Sequence, residues 1–205
     1  MKKYLKWIIC LISLFIFVLL GVLVLTKNDI YLDIAFYKFI SKFINNNLTN
    51  VMKFLTHIGS SVVVISITLF TLIFFKNKKY GLYMAINLLS ITLIQIITKS
   101  LFSRNRPVDI NLIDETGYSF PSGHSLTSMA FYGLIIYFIC NSKLNKKSKI
   151  IYTVLFSVLI FVTGLSRIYL GVHYFTDVLG GFTLAISYLI IYISLIEKKK
   201  ILPHK

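Results

Sequence analysis

Six apolar runs recur along this chain, each approaching the 20 or so residues that a helix needs to cross the hydrocarbon core of a bilayer. They fall at about 5–25, 54–75, 81–98, 123–140, 150–164 and 177–196, with softer edges on the third and fifth. Only 14% of the 205 residues are charged and 57% are hydrophobic, where a soluble domain carries roughly 25% charged residues. Lipid, not water, solvates such a chain. The expected fold is all-α: an integral membrane bundle of six transmembrane helices, forming one domain over 1–205.

The net charge of +15 would suit nucleic acid in a soluble protein, but its distribution excludes that partner. The lysines cluster just beyond the ends of the apolar runs, where they fix orientation. With six spans, one side holds Lys2, Lys3, Lys6, Lys76, Lys78, Lys79, Lys143, Lys146, Lys147, Lys149, Lys198, Lys199, Lys200 and Lys205. The other holds Lys27, Lys38, Lys42, Lys53, Lys99, Arg104, Arg106 and Arg167, partly balanced by Asp29, Asp33, Asp109, Asp114, Glu115 and Asp177. The richer side is expected in the cytoplasm with both termini, in a multi-pass cell-membrane protein. The first run is too long for a signal peptide and has no small-x-small site before Thr26, so it reads as an uncleaved anchor.

Between 27 and 53 the pattern changes. Lys38, Ser41, Lys42 and Asn45 share one helical face, and Ile34, Tyr37, Ile40 and Ile44 another. This is the pattern of an amphipathic helix in the membrane interface, either covering a site or simply connecting spans. Cys10 and Cys140 both lie in apolar runs, where they read as small buried residues and not as a disulfide framework.

Three short polar stretches stand out against this background, and the six-span topology brings them to one membrane face. In the first, Lys99 and Arg106 are seven residues apart, so a continuous helix would align them on one face. Pro107 disfavours helix at Arg106, predicting a break that turns the guanidinium inward. Arginine grips phosphate through two parallel N–H donors and lysine through a point charge. In the second, Pro121-Ser122-Gly123-His124, Ser122 suits a helix N-cap and Gly123 permits close backbone approach to an anion at a helix start. In the third, His173 and Asp177 are four apart, the spacing at which helix side chains meet. A carboxylate on Nδ1 would leave Nε2 free to attack, with Arg167 supplying further charge. Taken singly, each stretch also admits a plain structural role: snorkelling cations, a helix cap, a helix-surface pair.

Together they resemble the signature of the type 2 phosphatidic acid phosphatase superfamily, which also includes vanadium-dependent haloperoxidases. The signature is Lys-x6-Arg-Pro, Pro-Ser-Gly-His and Ser-Arg-x5-His-x3-Asp, and every defining position is present in order. The likeness extends from about 54 to 196. It implies His173 as a nucleophile that forms a phosphohistidine, Asp177 orienting it, and His124 as general acid for the leaving oxygen. It implies Lys99, Arg106, Arg167, Ser122 and Gly123 as the phosphate-binding set. No metal or other cofactor is implied; Asp109, Asp114 and Glu115 read as a solvated acidic loop. His57 reads as an interfacial residue, and Arg104 is a candidate because it lies inside the first motif.

The expected function is hydrolysis of a lipid phosphate or diphosphate at the outer membrane face. Undecaprenyl diphosphate, phosphatidylglycerol phosphate and phosphatidate are the candidate substrates, with carrier-lipid recycling suiting an outward site best. Two alternatives use the same residues: a phosphotransferase of the same fold, and a non-catalytic binder or transporter of anionic lipid. A haloperoxidase does not suit a membrane chain. Oligomeric state is not legible in the sequence.

Overall fold

The structure is a computed structural model that describes residues 2–26, 30–108 and 111–198. Lys27, Asp29, Asp109, Lys199, Lys200 and Lys205 lie outside the described residues. All regular structure among those described is helical: α1 Lys2–Thr26, α2 Tyr31–Ser41, α3 Asn46–Ile58, α4 Ser61–Phe74, α5 Lys79–Phe102, α6 Gly123–Cys140, α7 Lys146–Tyr169 and α8 Phe175–Lys198. Five of them (α1, α5, α6, α7 and α8) are long and apolar enough to cross a membrane. α3 and α4 together pass the same test but meet at 43°, giving six spans when the pair counts as one.

α6 is the hub, packed against α5, α7 and α8. It is apolar on all sides, as a helix surrounded by others must be, and buries Leu126, Ala130, Phe131 and Leu134 completely. α8 meets it through small residues, which let helix backbones approach where lipid gives no hydrophobic drive for association. At Gly181 an added Cβ would lie 2.8 Å from the Ser122 carbonyl oxygen, so only glycine allows this approach. α1 lies outside α8, with Phe17 stacked on Phe120 at 5.7 Å between ring centroids. Polar side chains tie the helices internally: Tyr192 Oη donates to the Tyr83 carbonyl at 2.7 Å and Tyr132 Oη to the Ile58 carbonyl at 2.6 Å. Such bonds contribute about 0.6 kcal/mol each inside a membrane. Outward-facing Leu11, Phe15, Phe74, Leu89 and Ile97 are exposed and would meet lipid.

Three sequence expectations change in detail. The segment 27–53 is not one helix: α2 ends at Ser41, and Asn45 opens α3 by accepting the Leu48 N–H at 2.9 Å. The apolar run expected at 54–75 falls on two helices, α3 and α4, broken at Gly59–Ser60. Cys10 is buried, but Cys140 is exposed because α6 ends there.

Candidate active site

The polar stretches meet at one end of the bundle because each sits at a helix terminus facing the same way. Lys99 and Arg167 lie in the last turns of α5 and α7; Ser122 caps α6, and Asp177 is in the first turn of α8. The Lys78, Lys79, Lys143 and Lys146–Lys149 region belongs to the opposite helix ends. α5 stops earlier than Pro107 implies. Ser103, at φ 42°, takes the left-handed conformation and ends the helix, so Arg104 and Arg106 already lie in loop. The loop is pinned over the site by Ser119 N–H to the Arg104 carbonyl at 2.7 Å and Leu112 N–H to the Leu170 carbonyl at 2.9 Å.

A polar cavity of about 140 Å³ opens there, lined by Gln95, Lys99, Arg106, Glu115, Gly123, His124, Thr127 and His173, with Gly59 and Ser61 from the α3–α4 break. A larger apolar groove of about 500 Å³, lined by Phe70, Phe75, Tyr80 and Phe138 among others, contains none of the motif residues.

His173 is the centre of the cavity wall and is only 3% exposed. Its Nε2 lies 3.1 Å from Arg106 Nη1, which can only donate, so Nε2 carries the lone pair. Its Nδ1 lies 3.4 Å from Asp177 Oδ2 and 3.3 Å from Ser119 Oγ, while Ser119 donates to that same Asp177 oxygen. Nδ1 is therefore the protonated nitrogen, assigned from this network. Burial pushes the imidazole pKa down to about 4, against the upward pull of Asp177, so the ring is neutral at physiological pH. A neutral imidazole with its lone pair on Nε2, held here by Arg106 at the wall of a cationic cavity, can act as a nucleophile for phosphorus once that bond is released.

Each cation is already constrained: Lys99 and Arg106 line the cavity, and Arg167 lies buried behind its wall. Arg106 donates to the carbonyls of Thr116, Gly117 and Val172, each at 2.9 Å, and Lys99 donates to the Tyr118 carbonyl. Arg167, 1% exposed, donates to Thr56 Oγ1 at 2.8 Å and pairs with Glu115. Its Nε is buried with no partner among the described residues, a donor whose desolvation costs about 1–3 kcal/mol until an acceptor arrives. Gly123 and His124 occupy the first turn of α6, where backbone N–H groups lack helical partners and favour an anion. A Cβ at Gly123 would approach Gln95 Nε2 to 2.6 Å, so any larger residue would push Gln95 out of its place in the cavity wall. Ser122 does not line the cavity. It is fully buried, and its hydroxyl accepts from Ser125 N–H at 3.5 Å and Ser125 Oγ at 3.0 Å.

Four residues enter the site without a signal in the sequence. Ser119 bridges the His173–Asp177 pair, and Thr56 and Asp33 arrive from distant helices. Glu115 is not a solvated acid: its carboxylate pairs with Arg167 and lies 3.9 Å from Arg106. Burial opposes its ionisation, but Arg167 holds it below the usual carboxylate range. It sits where an anionic ligand would meet the arginines. Arg104, a candidate from its place in the first motif, faces away from the cavity to Asp177 and Asp33. His57 is exposed and takes no part in the lining.

A family model described as the PAP2 superfamily matches residues 78–201, more than half of the chain and all three motifs. The chain belongs to the PAP2 superfamily. This PAP2 protein is 36% identical over 147 residues to phosphatidylglycerophosphatase B of Bacillus subtilis (strain 168), covering 68% of this chain and 70% of that protein. It is 29% identical over 192 residues to the undecaprenyl-diphosphatase of Sulfolobus acidocaldarius, covering 90% and 87% respectively. The crystal structure of a transmembrane PAP2-type phosphatidylglycerolphosphate phosphatase from Bacillus subtilis superposes with a TM-score of 0.82 at 29% identity, over 92% of this chain and 96% of that one. LpxE of Aquifex aeolicus superposes at 0.68 and 23% identity over 82% and 98%, a likeness of fold. The chain is therefore a multi-pass membrane phosphatase of the PAP2 fold.

Proposed function

We propose that this PAP2 protein hydrolyses a lipid phosphate or diphosphate through a phosphohistidine on His173. The observation that carries the reading is the neutral His173 Nε2 at the wall of a small cavity lined by Lys99 and Arg106, with the buried Arg167 behind it, paired to the lining residue Glu115. In the first step Nε2 attacks phosphorus, the bond to the lipid oxygen breaks, and His124 gives that oxygen its proton. Asp177 and Ser119 hold Nδ1–H as the ring gains positive character. In the second step water attacks the phosphoryl group, returns a proton to His124, and the N–P bond breaks to release phosphate. Lys99, Arg106, Arg167 and the Gly123 N–H stabilise charge on the equatorial oxygens in both steps. These cations supply the charge that a metal provides elsewhere, so turnover is expected to survive EDTA.

The activities named for the two curated relatives favour phosphatidylglycerophosphate or undecaprenyl diphosphate as substrate, and phosphatidate is a third candidate. We place the site on the outer face and the termini in the cytoplasm, because the lysine-rich loops lie at the helix ends remote from it. Phosphate release by purified protein, measured across these three lipids without any added acceptor, tests the reading. Release of phosphate by wild type and its loss in H173A, with the thermal melt in detergent retained, is the expected result. A folded H173A protein with near-normal turnover would remove the phosphohistidine.

A further inference from the structure

α2, which the sequence leaves as either a cover or a connector, reaches the reaction centre through one buried carboxylate. Asp33 is 3% exposed. Its Oδ1 accepts the Thr176 backbone N–H at 2.8 Å, and its Oδ2 accepts Arg104 Nη2 at 2.7 Å and Thr176 Oγ1 at 2.8 Å. Arg104 in turn donates through Nη1 to Asp177 Oδ1 at 2.6 Å and to Thr176 Oγ1 at 2.8 Å, with its guanidinium 3.9 Å over the Tyr174 ring. The remaining Asp177 oxygen is the one that faces His173 Nδ1. Asp33, Arg104 and Asp177 thus form a line of three charges, the two carboxylates buried and the guanidinium largely so, ending at His173.

We propose that Asp33 is a positioning residue for phosphoryl transfer: it offsets the charge of Arg104, so that the field of the Asp177 carboxylate at His173 is not cancelled. Arg104 holds the Asp177 carboxylate in place, yet its charge alone would cancel that carboxylate's pull on the imidazole. With Asp33 present the three groups sum to one negative charge, which stabilises the imidazole as it becomes cationic on phosphorylation. Without Asp33 they sum to zero. The same contacts hold α2 against the His173 loop, where it walls a groove of about 350 Å³ lined by Asp33, Tyr37, Lys38, His173 and Phe175 among others. This inference rests on His173 as nucleophile.

The charge offset separates from simple anchoring in a double-variant cycle. D33N keeps an acceptor for the Thr176 N–H but removes the offset, so kcat should fall about 10- to 100-fold, about 1.4–2.7 kcal/mol of lost transition-state stabilisation. KM and inhibition by inorganic phosphate should change less than about threefold, a bound set below about 0.7 kcal/mol of binding, because Asp33 does not line the phosphate cavity. Adding R104Q removes the cation that Asp33 offset. The introduced glutamine amide can accept from the introduced asparagine and still donate to Asp177, so the D33N/R104Q protein should regain kcat to within about tenfold of wild type. A pure anchor predicts the reverse, since the second change cuts another tie.

Near-normal kcat in D33N overturns the proposal, and so does a double variant no more active than D33N. If D33N alone does not fold, the double variant decides, because it removes the cation that D33N leaves without its offset; its inactivity or failure to fold assigns Asp33 to architecture. H173A, assayed beside them, keeps the two readings apart. Activity there removes the nucleophile assignment, whereas an inactive H173A with an undisturbed D33N removes only the role of Asp33.

Discussion

Glu115 pairs with Arg167, which the proposed mechanism assigns to the phosphate, so on that mechanism substrate must displace the carboxylate. Its carboxylate bonds Arg167 and lies 3.9 Å from Arg106, in the wall of the polar cavity. Arg167 is 1% exposed and Glu115 29%, so the pair is neither fully dry nor a surface contact. A hydrogen bond between charged groups contributes about 1.5–3 kcal/mol net, and partial solvation of one partner trims that to about 1–2 kcal/mol. E115Q removes the competing charge while keeping the shape of the side chain. At about 1.4 kcal/mol per tenfold, the inhibition constants for inorganic phosphate and vanadate should fall about 5- to 30-fold. The carboxylate stays ionised from about pH 5 to 8, because Arg167 holds its pKa below the ordinary value. The gain should accordingly be flat across that range. Competitive inhibition of phosphate release in detergent measures both constants at equilibrium, free of the ambiguity between KM and affinity. Weaker binding of both anions in E115Q would refute the displacement argument and make Glu115 a support that holds Arg167 in place.

The other predictions concern the imidazoles and the membrane. His173 should titrate near pH 4 by nitrogen-15 NMR of the folded protein, against about 6.5 for an exposed histidine; a midpoint near 6.5 would mean that the ring is solvated. Because the folded pKa lies below the unfolded one, the folded state binds fewer protons, so stability is lost as pH falls from about 6.5 towards 4 and not on the alkaline side. H124A should damage hydrolysis of phosphatidate more than that of a lipid diphosphate, whose leaving phosphate is less basic and needs its proton less; equal losses would make His124 a positioning group. For orientation, single cysteines at the exposed Val108 and Lys143, without Cys10 and Cys140, are the probe sites. An impermeant thiol reagent on intact cells should label 108 and spare 143, and the opposite pattern would turn the site to the cytoplasm.

The sequence by itself determined the lipid-solvated class, the six apolar spans and the motif residues, because each is a local pattern. Span length and a Pro-Ser-Gly-His run before an apolar stretch are legible within a few turns of helix. His173 and Asp177 do meet, but from the loop before α8 to its first turn and not on one helical face, because α8 begins at Phe175. Alternating helix direction then sufficed to put Lys99, Arg106, His124 and His173 at one end. What only the tertiary structure decided are partnerships between residues far apart in the chain, which no periodicity records. Asp33 and Arg104 are 71 residues apart, and Thr56 and Arg167 are 111 apart. Glu115 looked like one of several loop acids until folding set it against Arg167, and Ser119 looked like an ordinary loop serine until it met both His173 and Asp177. The breaks after Ser41, at Gly59–Ser60 and at Ser103 were equally hidden. Helix ends there are fixed by neighbours: Tyr169 Oη accepts the Asn45 N–H at 3.2 Å where α3 begins. Local pattern selected the chemical groups, and long-range packing set which of them are neutral, which are charged and which already hold a partner.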